Sequence, residues 1–127
     1  MSLRSPLGHA RGLGSAKEGP NHWWHQRLTA VALVPLSMWF LVSVVSLAGA
    51  DYPHFQAWLA VPGNTALLLL LLAATFHHGQ LGLQVVIEDY VHGKAAKVGG
   101  LIAVKLVSLL LAVFAAVAVL RTAFVGG

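Results

Sequence analysis

From Val61 to Ile87 the chain runs for 27 residues without one Asp, Glu, Lys or Arg, yet carries adjacent histidines at 77 and 78. A helix needs about 20 apolar residues to cross a hydrocarbon core roughly 30 Å thick. This stretch therefore sets lipid as the surroundings for much of the molecule. Lipid offers backbone N–H and C=O groups no partners, so helix is the regular choice for a lone span. An ionisable ring inside such a span is a functional candidate by default. Glu88-Asp89-Tyr90-Val91-His92 follows at once, a polar cluster where the chain should leave the lipid.

Two more apolar runs are long enough to cross. Leu28 to Ala50 holds no charge; Val98 to Val125 holds Lys105 near its start and Arg121 near its end. The expected fold is an all-α membrane protein with three transmembrane helices, at about 28–50, 63–88 and 98–124. They form one membrane domain over residues 27–127, behind a tail of residues 1–26. Composition agrees. Only 9% of residues are charged and 57% are hydrophobic, whereas soluble domains carry about 25% charged residues. Pro35 lies inside the first span and is expected to kink it. The first 20 residues are broken by Pro6, Gly8, Gly12, Gly14, Gly19 and Pro20, the punctuation of an irregular tail. That segment holds Arg4, Arg11 and Lys17 but no apolar core, so no secretory signal is expected.

Several function classes fall away. There is no cysteine, hence no disulfide, thiolate metal site or cysteine nucleophile. The net charge of +4 is split between apolar runs, unlike the gathered basic face of a nucleic-acid binder. No internal repeat is evident, and three spans are few for a transporter.

The loops give a direction. Arg4, Arg11, Lys17 and Arg27 precede the first span, and Lys94 and Lys97 lie between the second and third. The loop from Asp51 to Ala60 has no Lys or Arg, and the C-terminal end has only Arg121. The excess of positive charge places the N-terminus and the second loop in the cytoplasm. Trp23, Trp24, Tyr52, Trp58 and Tyr90 fall near span ends, where amphipathic rings favour the interface. Lys105 is expected to snorkel its ammonium back to the headgroups.

Helical residues advance about 100° each, so His78, Gly82, Val85 and Asp89 share one stripe of the second span, while His77 points about 100° away. His78 and Asp89 stand about 16 Å apart along the axis. A glycine one turn from a histidine leaves room for something flat and wide, and a haem held by the imidazole nitrogen fits. The plainer readings are a histidine bonded to a neighbouring helix and a glycine that lets helices approach. From the residues alone, Asp89 and Tyr90 read first as a helix end and an interfacial aromatic.

The run His78-Gly79-Gln80-Leu81-Gly82-Leu83-Gln84-Val85-Val86-Ile87-Glu88-Asp89-Tyr90-Val91-His92 resembles the second-helix signature of the small membrane-anchor (D) subunits of succinate dehydrogenase, respiratory complex II. That signature is a histidine, a glycine four residues on, and Asp-Tyr eleven and twelve residues on. Trp23-Trp24-His25-Gln26-Arg27-Leu28-Thr29-Ala30 resembles the family's Arg-x-Thr-Ala opening of the first helix. The wording from Val85 to His92 is similar to the alphaproteobacterial and mitochondrial branch. The resemblance covers residues 22 to about 125, though the third helix adds only hydropathy.

The resemblance implies that His78 is an axial ligand of haem b, with the opposite ligand from the large cytochrome b anchor subunit. It implies that Tyr90 hydrogen-bonds a ubiquinone carbonyl, that Asp89 helps order that site, and that Arg27 lies near the haem propionates and the iron-sulfur subunit. Gly82 would line the haem pocket. His77 has no fixed role in the pattern, which leaves a neighbouring histidine as an alternative ligand. The implied partners are the large anchor subunit, the iron-sulfur subunit, the flavoprotein subunit and lipid, in a bacterial inner membrane. Electrons from succinate would arrive through those chains, because no flavin, iron-sulfur or succinate motif exists here. Two alternatives are the anchor of a fumarate reductase working with menaquinone, and a non-catalytic assembly protein whose histidines only bind neighbouring helices.

Overall fold

A computed structural model describes residues 18–125. It is all-helical: α1 (Glu18–Ser46), α2 (Tyr52–Ala60), α3 (Pro62–Tyr90) and α4 (Lys94–Phe124), with no strand among the described residues. Three of the helices are long and apolar enough to cross a membrane, as the three apolar runs require. The irregular tail expected for the first 20 residues lies mostly outside the described residues.

The helices are longer than the runs that announce them. α1 begins at Glu18, ten residues before its apolar run, so Trp23 to Gln26, placed in the tail, are helical. The helix continues through Pro35 as one element; the lost backbone donor does not end it. Its C-terminus closes with Leu47 N–H donating to Ser43 O at 3.0 Å, and Gly49 follows in the left-handed region at φ +80°. That conformation suits glycine just beyond a helix end.

The stretch after Ala50, expected as a loop, folds into the short helix α2. Asp51 caps it by accepting from His54 N–H at 3.0 Å, and Pro53 sits in the first turn, where a missing N–H costs nothing. Trp58 stacks between Trp39 of α1 and Phe55, with ring centroids 5.9 and 6.1 Å apart. The tight α2–α3 corner is held by side chains. Asn64 donates to Trp58 O at 2.9 Å and the Thr65 hydroxyl donates to Leu59 O. Leu59 is 2% exposed.

α3 is the central helix. It packs on α1 along one side and α4 along the other, and α2 rests on α3 and α4. Among the described residues only Leu59, Leu81 and Ala123 are buried apolar side chains. Val31, Val34, Met38, Leu41 and Val45 lie exposed along α1 at three- and four-residue spacing. So much uncovered apolar surface needs lipid or another chain against it.

Candidate functional site

The first turns of α1 present a polar face to α3. His22, His25, Gln26 and Thr29 fall within about two turns of α1. α3 answers with its two histidines. His25 Nδ1 lies 3.0 Å from His77 Nε2, with ring centroids 5.3 Å apart. Thr29 Oγ1 lies 3.0 Å from His78 Nδ1. Both histidines therefore meet α1, at different points of its surface.

The two rings are left in different states. The nitrogen of His77 farthest from its backbone, Nε2, is taken up by His25. His78 is held through Nδ1, and no hydrogen bond among the described residues reaches its Nε2. His78 lines an open groove of about 470 Å³, shared with Val85 of α3 and with His22, Trp23, Gln26, Arg27 and Ala30 of α1. The Arg27 guanidinium carbon stands 5.3 Å from the centre of the Trp23 ring, within cation–π range. Among the described residues, His22 Nε2 and Gln26 Oε1 are buried with no hydrogen-bond partner. Buried polar atoms are nearly always satisfied, so this wall is incomplete without a further polar group. Imidazole, guanidinium and amide groups beside a histidine with a free ring nitrogen suit a haem: iron for the nitrogen, carboxylates for the cationic wall. Nothing lies within 4 Å of a Cβ built on Gly82, so that side of the stripe is open too.

Asp89 and Tyr90 do not join this groove. They close α3, both exposed, with Tyr90 75% exposed. The stripe reading thus holds for His78 and Val85. The structure brings Arg27 to them and leaves Asp89 and Tyr90 at the end of the helix. Lys105 lies eleven residues into α4, about 16 Å from its start. It lines a separate gap between α1, α3 and α4 with His22, His25 and Gln84. Glu88, Gln84 and Gln80 form a hydrogen-bonded ladder along α3, at 3.1 and 3.2 Å.

Sequence reasoning missed His22 and gave no role to Gln26 and Thr29. The signal was present: His22, Gln26 and Thr29 recur at helical spacing, which marks one polar face. It was hidden because residues 1–26, His22 and Gln26 among them, were read as tail, which left Thr29 without its helical neighbours.

Comparison with known proteins agrees with this architecture. Residues 1–120 match the family model described as succinate dehydrogenase/fumarate reductase transmembrane subunit. The chain is 39% identical over 117 residues to the succinate dehydrogenase hydrophobic membrane anchor subunit of Rickettsia bellii, covering 92% of this chain and 94% of that one. It is 31% identical over 97 residues to the protein of the same name from Paracoccus denitrificans, covering 76% and 75%. The membrane anchor subunit of Reclinomonas americana is 27% identical over 96 residues, covering 73% and 80%. No solved structure matches. With the family match spanning nearly the whole chain and three helices able to cross a bilayer, the protein belongs to the succinate dehydrogenase/fumarate reductase transmembrane subunits and is a multi-pass membrane protein.

Proposed function

We propose that this chain anchors succinate dehydrogenase in a bacterial inner membrane, with the N-terminus in the cytoplasm. His78 would supply a nitrogen ligand to the iron of a haem b shared with the large cytochrome b subunit. The single observation that carries this is the state of the His78 ring: Nδ1 is engaged by Thr29, and among the described residues no hydrogen bond reaches Nε2 beside the groove lined by Arg27. Arg27, which lines the same groove, provides a cationic donor for propionates. Bound haem supplies a one-electron carrier inside the membrane. Tyr90 and Asp89, about 16 Å along α3 from His78, take the ubiquinone end. The phenol donates to a quinone oxygen, and the carboxylate handles protons at the cytoplasmic surface. Succinate oxidation belongs to the flavoprotein subunit, and the iron-sulfur subunit delivers the electrons. This chain alone is catalytically inert.

The test is a reduced-minus-oxidised optical spectrum of the purified complex, together with its two activities. A b-type haem and succinate–ubiquinone activity are expected; a complex without cytochrome absorbance defeats the reading. The family description also names fumarate reductases, whereas the relatives compared above are all named for succinate dehydrogenase. Menaquinol–fumarate turnover exceeding succinate–ubiquinone turnover would favour the reverse reaction.

The open space at Gly82 gives a further expectation. Gly82→Leu projects a branched side chain one turn from His78, and the haem-to-flavin ratio of the purified complex should fall several-fold. Gly82→Ala adds one methyl with nothing within 4 Å to meet and should leave the ratio near wild type. A normal ratio in Gly82→Leu would mean that the ring plane lies elsewhere.

A further inference from the structure

We propose that Thr29 is a positioning residue that fixes the tautomer and aim of His78, accepting a hydrogen bond from Nδ1–H so that Nε2 keeps its lone pair for iron. The inference rests on the haem-ligand reading of His78 and extends it to a residue on a different helix.

A neutral imidazole carries one proton, and the two nitrogens have opposite roles. Only the form with hydrogen on Nδ1 leaves Nε2 able to bind metal. Thr29 Oγ1 lies 3.0 Å from that Nδ1. The hydroxyl has one hydrogen and three neighbours: His25 O at 2.8 Å, Gln26 O at 3.0 Å and the ring nitrogen. Carbonyl oxygens can only accept. The hydroxyl proton placed on the nearer carbonyl leaves an oxygen lone pair facing His78, which must then donate. Back-bonding of a threonine hydroxyl to the carbonyl four residues earlier is a common state in helices. It anchors the oxygen to α1, so the acceptor does not swing with the side chain. The result is a ligand histidine whose second nitrogen is tied to a rigid element, the usual support of metal-bound imidazole.

The experiment compares Thr29→Val, Thr29→Ala and Thr29→Ser with wild type and His78→Ala, all as detergent-purified complexes normalised to flavin. Three signals are read: haem loss to a haem-scavenging apoprotein, the ferric low-spin EPR spectrum, and the haem midpoint potential. Valine keeps the shape of threonine and removes the acceptor. Thr29→Val and Thr29→Ala should release haem roughly 10–100-fold faster, the scale of losing a partner behind a metal ligand. Their potential should rise, because an imidazole that no longer donates from Nδ1 is a weaker electron donor to ferric iron. Their EPR signal should shift. Thr29→Ser keeps the hydroxyl and should restore all three.

Unchanged haem release, potential and EPR signal in Thr29→Val overturn the role of Thr29. So does a Thr29→Ser complex as altered as Thr29→Val, which would make the methyl the important group. Loss of the assembled complex in both hydroxyl-free variants, when His78→Ala assembles, would assign Thr29 to packing and also overturns it. Full haem content in His78→Ala is a separate outcome: it removes the haem-ligand reading itself.

Discussion

Complexes assembled with His78→Ala should lose b-type haem absorbance to below about a tenth of wild type, while His77→Ala complexes should keep it. The magnitude follows from the role. Losing only an outer partner of a metal ligand costs roughly 10–100-fold in affinity, and losing the ligand should cost at least as much. The asymmetry between neighbours follows from the structure. His77 spends its Nε2 on His25, 3.0 Å away on α1. Its removal forfeits an interhelical hydrogen bond, which averages about 0.6 kcal/mol in membrane proteins. That is too little to unseat α1 from α3, which also meet at Thr29 and His78. Both variants are to be compared at equal flavin content, so that a smaller yield of complex is not read as lost haem. The reverse pattern would reassign the ligand to His77. Equal retention in both would hand both axial positions to other subunits.

The sequence disclosed the membrane helices because long apolar runs with at most two charges are a lipid signal, and lipid leaves backbone little choice but helix. It disclosed their ends poorly, for a physical reason: the run marks where lipid contacts begin, not where hydrogen bonding begins. Asn21 to Arg27 are polar or aromatic and still helical, because a helix can extend past the hydrocarbon into the interface. α2 was missed for a related reason. Asp51 to Ala60 was read only as the loop between two apolar runs, although Asp51 with a proline two residues on is also a helix-start signal, and the structure uses it that way. Within the site, the about 100° rule placed His78, Gly82 and Val85 on one stripe from sequence alone. The partner of that stripe was not legible. Which helix covers a face is decided by tertiary packing, and Thr29 and His22 reach it only because α3 lies against α1. The family motif carried Arg27 and Thr29 in its wording, yet only the fold shows Arg27 beside the same groove as His78.

Tyr90→Phe should lower ubiquinone reductase turnover by roughly 2–10-fold while leaving haem content and assembly unchanged. Tyr90 is the last residue of α3 and is 75% exposed, and its hydroxyl forms no hydrogen bond among the described residues. Phenylalanine therefore removes a donor and breaks nothing inside the chain. A neutral hydrogen bond is worth about 0.5–1.5 kcal/mol, and each 1.36 kcal/mol is tenfold in rate, which sets the range. A donor already aimed at an oxygen that gains negative charge acts more strongly as that charge develops. Its loss should therefore reduce kcat more than it raises KM. Succinate oxidation by a dye that takes electrons upstream of the membrane should be unaffected, which separates a quinone-site defect from damage to the soluble subunits. A larger drop, toward the roughly 10²–10³ seen when a donor is lost from a water-excluded site, would indicate that neighbouring chains seal the exposed end of α3 around the quinone. Unchanged ubiquinone turnover would remove Tyr90 from the site and leave Asp89 beside it without a quinone to serve.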